Sequence, residues 1–271
     1  NLIKRLLNEG HEVHSLDNYT TGNTSNHLTV EGFTAIYHKG DISEHGSFDW
    51  CLAEDFDIIY HLATQSRVQP SFDDPSETFT SNVLGTKRVC EDALKIGAKV
   101  VYAGSSSRHH NPATSTYAMY KYLGEGVCKL YKESFNLEVE ICRFYNVYGP
   151  YEIVEGDWAA VIGIWRNQVN NNESITIVGN GEQRRDFTHV DDIVDALVAI
   201  MEGNHYGWDF ELGRGKNISV NEVAKMMEIT PIYKPSKPGE ARHTLNTDTT
   251  ANEILGWNPQ RELLDYIKTQ I

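Results

Sequence analysis

The 271-residue chain is short of cysteine, of positive charge and of long apolar runs. Its four cysteines, Cys51, Cys90, Cys128 and Cys142, form no Cys-x-x-Cys pair, so neither a disulfide frame nor a zinc site is written in the sequence. Reduced thiols are the expectation, as in a cytoplasmic protein. Lys and Arg number 24 against 38 Asp and Glu, a net charge of −14. That balance argues against a nucleic-acid partner, which needs clustered cations, but leaves room for a small anion held by a few of them. No apolar run is long enough for a bilayer and no signal peptide is visible, so no membrane partner is expected. His109 and His110 are adjacent, face different ways on any regular element and have no Cys or carboxylate pattern beside them; no metal is expected.

What is present is an alternation of strand-like and helix-like runs. Residues 12–16, 57–62, 99–103 and 137–144 read as strands; 1–9, 74–96 and 115–135 read as helices. Pro75 and Gly97 mark the start and stop of the second helix. This rhythm predicts an α/β fold, a Rossmann-type doubly wound parallel sheet with helices on both faces. After Pro150 the pattern loosens. Residues 156–170, 189–202 and 261–271 read as helices, 174–178 and 207–212 as strands. The expected organisation is a dinucleotide-binding domain over 1–149 and a smaller substrate lobe over 150–271, with part of 188–212 packing back on the first domain. Gly179-Asn180-Gly181 reads as a hairpin turn, because Arg184 stands where a phosphate loop would need a third glycine.

The sharpest chemical signal is Tyr117 with Lys121. Positions i and i+4 share a helix face. A free phenol with a pKa of about 10 is a poor base at neutral pH. One ammonium about 4 Å away at an effective dielectric of about 20 contributes roughly 4 kcal/mol, or about three pKa units. With 14 tyrosines in the chain such a spacing arises by chance about 0.7 times, so context decides. A second pair, Tyr233 and Lys237, straddles Pro235 and cannot be helical. Tyr117 instead follows a strand that ends in Ala103-Gly104-Ser105-Ser106-Ser107, and ligands bind at such strand ends in parallel sheets. A serine there can hydrogen-bond both the phenol and a substrate hydroxyl. Asp17 likewise ends a strand, where a carboxylate accepts from the adenosine ribose hydroxyls. No Lys or Arg lies between Asn18 and His38 to meet a 2′-phosphate, which favours NAD.

Three serines followed by Tyr-x-x-x-Lys make the chain resemble the extended short-chain dehydrogenase/reductase superfamily. Within it, the chain is similar to the NAD-dependent nucleotide-sugar epimerase/dehydratase family, its UDP-glucose 4-epimerase-like branch. The resemblance covers nearly the whole chain. It places Ser107 at the catalytic serine, Tyr117 at the base and Lys121 at its helper, with Tyr117 and Lys121 also against the cofactor. Gly40-Asp41-Ile42 and His61-Leu62-Ala63 resemble the cofactor loops, which makes Asp41, Ile42 and Ala63 cofactor contacts beside Asp17. The run from Arg143 to Pro150 gives Asn146 to the substrate, and the run from Arg184 to Asp192 gives Arg185 to its diphosphate. Lys237 and Arg242, in Lys-Pro-Gly-Glu-Ala-Arg, stand where an arginine usually meets the diphosphate. Asn82 resembles a structural asparagine beside the active site, and His61 reads as a packed strand residue.

The resemblance implies NAD as cofactor, a nucleotide sugar as substrate, a homodimer through the helices over 74–96 and 115–135, and epimerisation at C4 through a 4-keto intermediate. Decarboxylation, dehydration or keto-sugar reduction on the same scaffold is the alternative; a reductase would exchange its cofactor where an epimerase retains it. Arg108-His109 replaces the Asp-Glu that 4,6-dehydratases carry there. The loop over 108–116 is shorter than usual and lacks the Val-Tyr-Gly segment. A non-catalytic binding protein is the alternative of another class. The chain opens inside a helix, where the resemblance would have a first strand and glycine-rich loop before it, so an N-terminally incomplete domain is expected. Extending the N-terminus by a strand and a glycine-rich loop is expected to raise NAD affinity in isothermal titration; equal affinities would overturn that expectation.

Overall fold

The computed structural model describes residues 1–30, 32–203 and 207–270. Four parallel strands form the main sheet in the order Asp209–Leu212, Val139–Phe144, Lys99–Ser105, Ile58–His61. A separate parallel pair, His14–Asp17 with Ile36–Lys39, has no strand pairing to that sheet among the described residues. The second strand of the pair carries no alternating pattern and was not expected from the sequence.

Alternating residues of the central strands face opposite ways, as a pleated strand requires. Val100, Tyr102, Val139 and Ile141 pack with Cys90, Ala93, Cys128 and Tyr131 of the helices on one face. Val101, Cys142, Phe210 and Leu212 pack on the other face against Ile193, Ala196, Leu197 and Ile200. The helix Val190–Glu202 therefore covers the main sheet, and Ala251 and Trp257 join it there rather than in the C-terminal lobe. The lobe has its own core of Tyr148, Ile162, Trp165, Ile175, Ile177 and Phe187. All four cysteines are free and buried.

Two sequence expectations need correction. Residues 156–170 are not one helix: it begins at Val161, and Gly156 has φ of +76°, which a right-handed helix does not accommodate. Gly179 and Gly181 make a turn, but no hairpin. The strand before it, Thr176–Val178, pairs in parallel with Ile232–Lys234, and the strand after it, Arg184–Asp186, pairs with Asn217–Ser219. The run over 74–96 is helical throughout but changes type, with a π-helical section at Thr80–Gly85 between Pro75–Phe79 and Thr86–Ile96. Of the expected final helix, Leu263–Gln270 is observed, and residue 271 lies outside the described residues.

The helix Thr116–Phe135 is fixed to the sheet by a buried ionic cluster. Arg143, near the end of its strand and 6% exposed, donates to both oxygens of Glu125 at 2.9 and 2.6 Å. It also donates to Glu211 at 2.7 Å and to Asp209 at 2.6 Å. Tyr145 and His109 complete the coordination of Glu211. Gly124 lets the helix come close: a Cβ there would lie 2.6 Å from the Asn82 carbonyl and 2.6 Å from the Tyr102 hydroxyl. Replacing Arg143 by Met leaves Glu125 and Glu211 buried without their shared cation. The expected cost is about 3–5 kcal/mol, read from urea unfolding.

Candidate active site

Ser115 caps the long helix by accepting from the Ala118 amide, so the helix starts at Thr116 and its first turns face the carboxyl end of Lys99–Ser105. Tyr117 and Lys121 both aim at that strand. The Tyr117 hydroxyl donates to Ser105 Oγ at 3.1 Å, and Lys121 Nζ donates to the Ala103 carbonyl at 2.5 Å. The ammonium also stands 4.5 Å over the Tyr102 ring.

The serine that meets the phenol is thus Ser105. Ser107 lies two residues on, in the single turn Ser106–His109, with a buried Oγ that has no hydrogen-bond partner among the described residues. The electrostatics also differ from expectation. Burial pushes the Tyr117 phenol up, while the Ser105 hydrogen bond and the positive charge of Arg67 pull it down. Lys121 aims its ammonium at the Ala103 carbonyl of the same strand end. Burial in turn lowers Lys121 to about 8, against the favourable charge of Glu125.

Two cavities, neither lined by Ser105, Ser107, Tyr117 or Lys121, hold the other expected site residues. The smaller, about 150 Å³, is lined by Asp17, Asp41, Ile42 and Ala63, the four residues expected at the adenosine end of the cofactor. One oxygen of Asp17 accepts from the Tyr19 amide, and the other has no partner among the described residues. Burial works to raise Asp41, but hydrogen bonds from Ser43 and Asn18 outweigh it and hold the carboxyl below its ordinary value. Gln65 lines the same cavity and has a buried Oε1 without a partner. An acidic strand end, a small residue at Ala63 and an unsatisfied acceptor suit the adenosine half of NAD. Asn82, turned inward by the π-helical section, accepts from Thr64 Oγ1 and the Gln65 amide and donates to the Gln65 carbonyl. It therefore braces this loop. His61 is buried, bonded to Thr86 and lowered by burial to about 3, which fits a packed neutral ring.

The larger cavity, about 1310 Å³, collects all four expected substrate residues, Asn146, Arg185, Lys237 and Arg242. Asn146, at φ +37°, spends its amide on the Asp186 carbonyl and Thr244. Arg185 donates to the Arg184 carbonyl and stands 3.7 Å from Glu240. Asp186, fully buried, accepts the amides of Arg214, Gly215 and Asn246 and so ties three lobe segments behind Asn146. Sequence reasoning missed Ser105 as the phenol's partner, and it missed Arg67 and Asp186. Ser105 was legible only as one of three serines, and the other two carried no spacing signal. Among the described residues no group of His, Cys, Asp and Glu suits a metal ion, and no helix is long and apolar enough to cross a membrane.

A parallel sheet with a serine-tyrosine-lysine set at its carboxyl edge, together with an acidic cavity and a cationic one, defines a dinucleotide-dependent α/β enzyme. The model of the NAD dependent epimerase/dehydratase family matches residues 1–213, and the chain belongs to that family. It is 32% identical to the UDP-glucose 4-epimerase of Mycolicibacterium smegmatis, over 98% of this chain and 91% of that protein. Among solved structures, the UDP-glucose 4-epimerase of Thermotoga maritima with UDP-glucose superposes with a TM-score of 0.91 at 26% identity, covering 99% and 92% of the two chains. MoeE5 in complex with UDP-glucose and NAD does so with a TM-score of 0.85 at 27% identity, covering 99% and 92%.

Lys121 gives the site a pH signature. Its folded value of about 8 lies below the ordinary 10.5. Between those limits the unfolded chain binds the extra proton, so stability rises with pH across that window. Urea titrations from pH 7.5 to 10.5 are expected to show a gain of up to about 3 kcal/mol that Lys121→Met abolishes.

Proposed function

We propose that the protein epimerises a nucleotide sugar at C4, with NAD retained through turnover. The observation that carries this reading is the convergence of Tyr117 and Lys121 on one strand end, with the Tyr117 phenol on Ser105. Asp17, Asp41, Ile42 and Ala63 would hold the adenosine end of NAD, and Tyr117 and Lys121 its nicotinamide ribose. When bound, NAD supplies a hydride acceptor and donor for the sugar carbon.

The residues of the chain do the remaining work. Tyr117 removes the proton of the 4-hydroxyl and returns it at the end of the cycle. It does so from a buried position where its phenol is raised, so the local cations set how readily the phenolate forms. Ser105 holds the phenol by its hydroxyl. Ser107, with its buried Oγ unpartnered, takes the sugar hydroxyl and orients it. Asn146 and the cations Arg185, Lys237 and Arg242 bind the diphosphate, where a guanidinium fork suits phosphate oxygens. A roomy cavity lets the 4-keto sugar present its other face before reduction, which a decarboxylase or reductase does not need. We place the enzyme in the cytoplasm as a homodimer. The exposed apolar side chains Phe79, Leu123 and Leu130 on the two helices support that arrangement.

Replacing Tyr117 by Phe is expected to lower turnover by roughly 10²–10⁴, measured by NMR of the product sugars with UDP-, GDP- and dTDP-sugars as substrates. Near-normal turnover in that variant removes Tyr117 from the reaction.

A further inference from the structure

Arg67 is a cation to which the reading above gives no part in holding the substrate. It follows the Ile58–His61 strand and its cofactor loop, and it stands at the wall of the larger cavity. Its Nε donates to the Trp158 carbonyl at 2.8 Å, which fixes the guanidinium plane. One terminal nitrogen reaches only the Ser66 carbonyl at 3.4 Å, and the other has no hydrogen-bond partner among the described residues. Arg67 makes no ion pair there either. Glu240 and Glu152 act on it only from a distance, and burial lowers it. A half-buried guanidinium at a cavity wall with no carboxylate beside it is free to meet an anionic group there.

Position separates Arg67 from the diphosphate cations. Arg185, Lys237 and Arg242 all come from the C-terminal lobe, and Arg185 already faces Glu240. Arg67 stands on the main-sheet side at the start of the helix Val68–Asp73, whose Ser71 Oγ accepts from the Tyr117 amide at 3.0 Å, and its charge reaches the Tyr117 phenol. It therefore lies toward the reacting end of the sugar. In a hexuronate the C6 carboxylate hangs on C5, the carbon next to the reacting C4. A planar fork with free donors matches a carboxylate there, and it offers a neutral hydroxymethyl much less.

We infer that Arg67 is a specificity-determining residue that pairs with a carboxylate on the sugar, so the preferred substrate is a nucleotide-linked uronic acid. The inference rests on the nucleotide-sugar reading above.

Isothermal titration of the purified chain with UDP, UDP-glucose and UDP-glucuronate tests it without requiring turnover. UDP-glucuronate is expected to bind at least about tenfold more tightly than UDP-glucose, the low end for a charge-assisted hydrogen bond. Arg67→Gln is expected to erase that difference while UDP affinity stays within about threefold, and Arg67→Lys to keep part of it. Equal affinity of the unaltered chain for the two sugars, or a preference that survives Arg67→Gln, overturns the assignment of Arg67 and leaves the nucleotide-sugar reading standing. Absence of binding by all three ligands and by their GDP and dTDP counterparts overturns the nucleotide-sugar reading itself, and the role of Arg67 with it.

Discussion

The Arg143 cluster is the contact on which the geometry of the site depends. One guanidinium ties Glu125 of the long helix to Glu211 and Asp209 of the neighbouring strand. Glu125 is one turn beyond Lys121, so this tie sets both the height and the rotation of the helix against the strand Lys99–Ser105. Tyr117 and Lys121 then reach Ser105 and Ala103 with little freedom left to their side chains. Charges so deeply buried are tolerated because each oxygen and nitrogen has a partner. Gly124 and the inward-turned Asn82 add a steric constraint, since the helix can approach the π-helical section only where no Cβ intervenes.

The same architecture divides labour around the centre. The strand ends and their loops line the smaller cavity with small and acidic groups. The lobe, held together behind Asn146 by the buried Asp186 carboxylate, lines the larger cavity with cations. Tyr117 stands on the main-sheet side, its amide bonded to Ser71 and its phenol to Ser105. Its proton affinity is a balance of burial against hydrogen bonding and charge, which makes it sensitive to what fills the cavities. Arg67 lines the same cavity as the lobe cations but comes from the main-sheet side.

Much of this was legible in the chain. The alternation of apolar strands with capped helices carried the parallel sheet, because burial on both faces demands continuous apolar strands such as Lys99–Ser105. The i, i+4 spacing carried the shared face of Tyr117 and Lys121. The motif runs carried Asp17, Asp41, Ile42, Ala63, Asn146, Arg185, Lys237 and Arg242, and they fall into two cavities as grouped. Less was legible where the period is short or absent. The strand Ile36–Lys39, the pairing of Thr176–Val178 with Ile232–Lys234 and the start of the helix at Val161 all depend on distant partners or on a glycine conformation.

The sequence by itself determined the fold class and the residue types available for chemistry, because periodicity and local spacing are properties of the chain. Only the tertiary structure decided which of three serines meets the phenol, where the Lys121 ammonium is directed and that Arg67 comes near Tyr117. Those outcomes depend on contacts between segments far apart in sequence, and on burial, which no local pattern encodes.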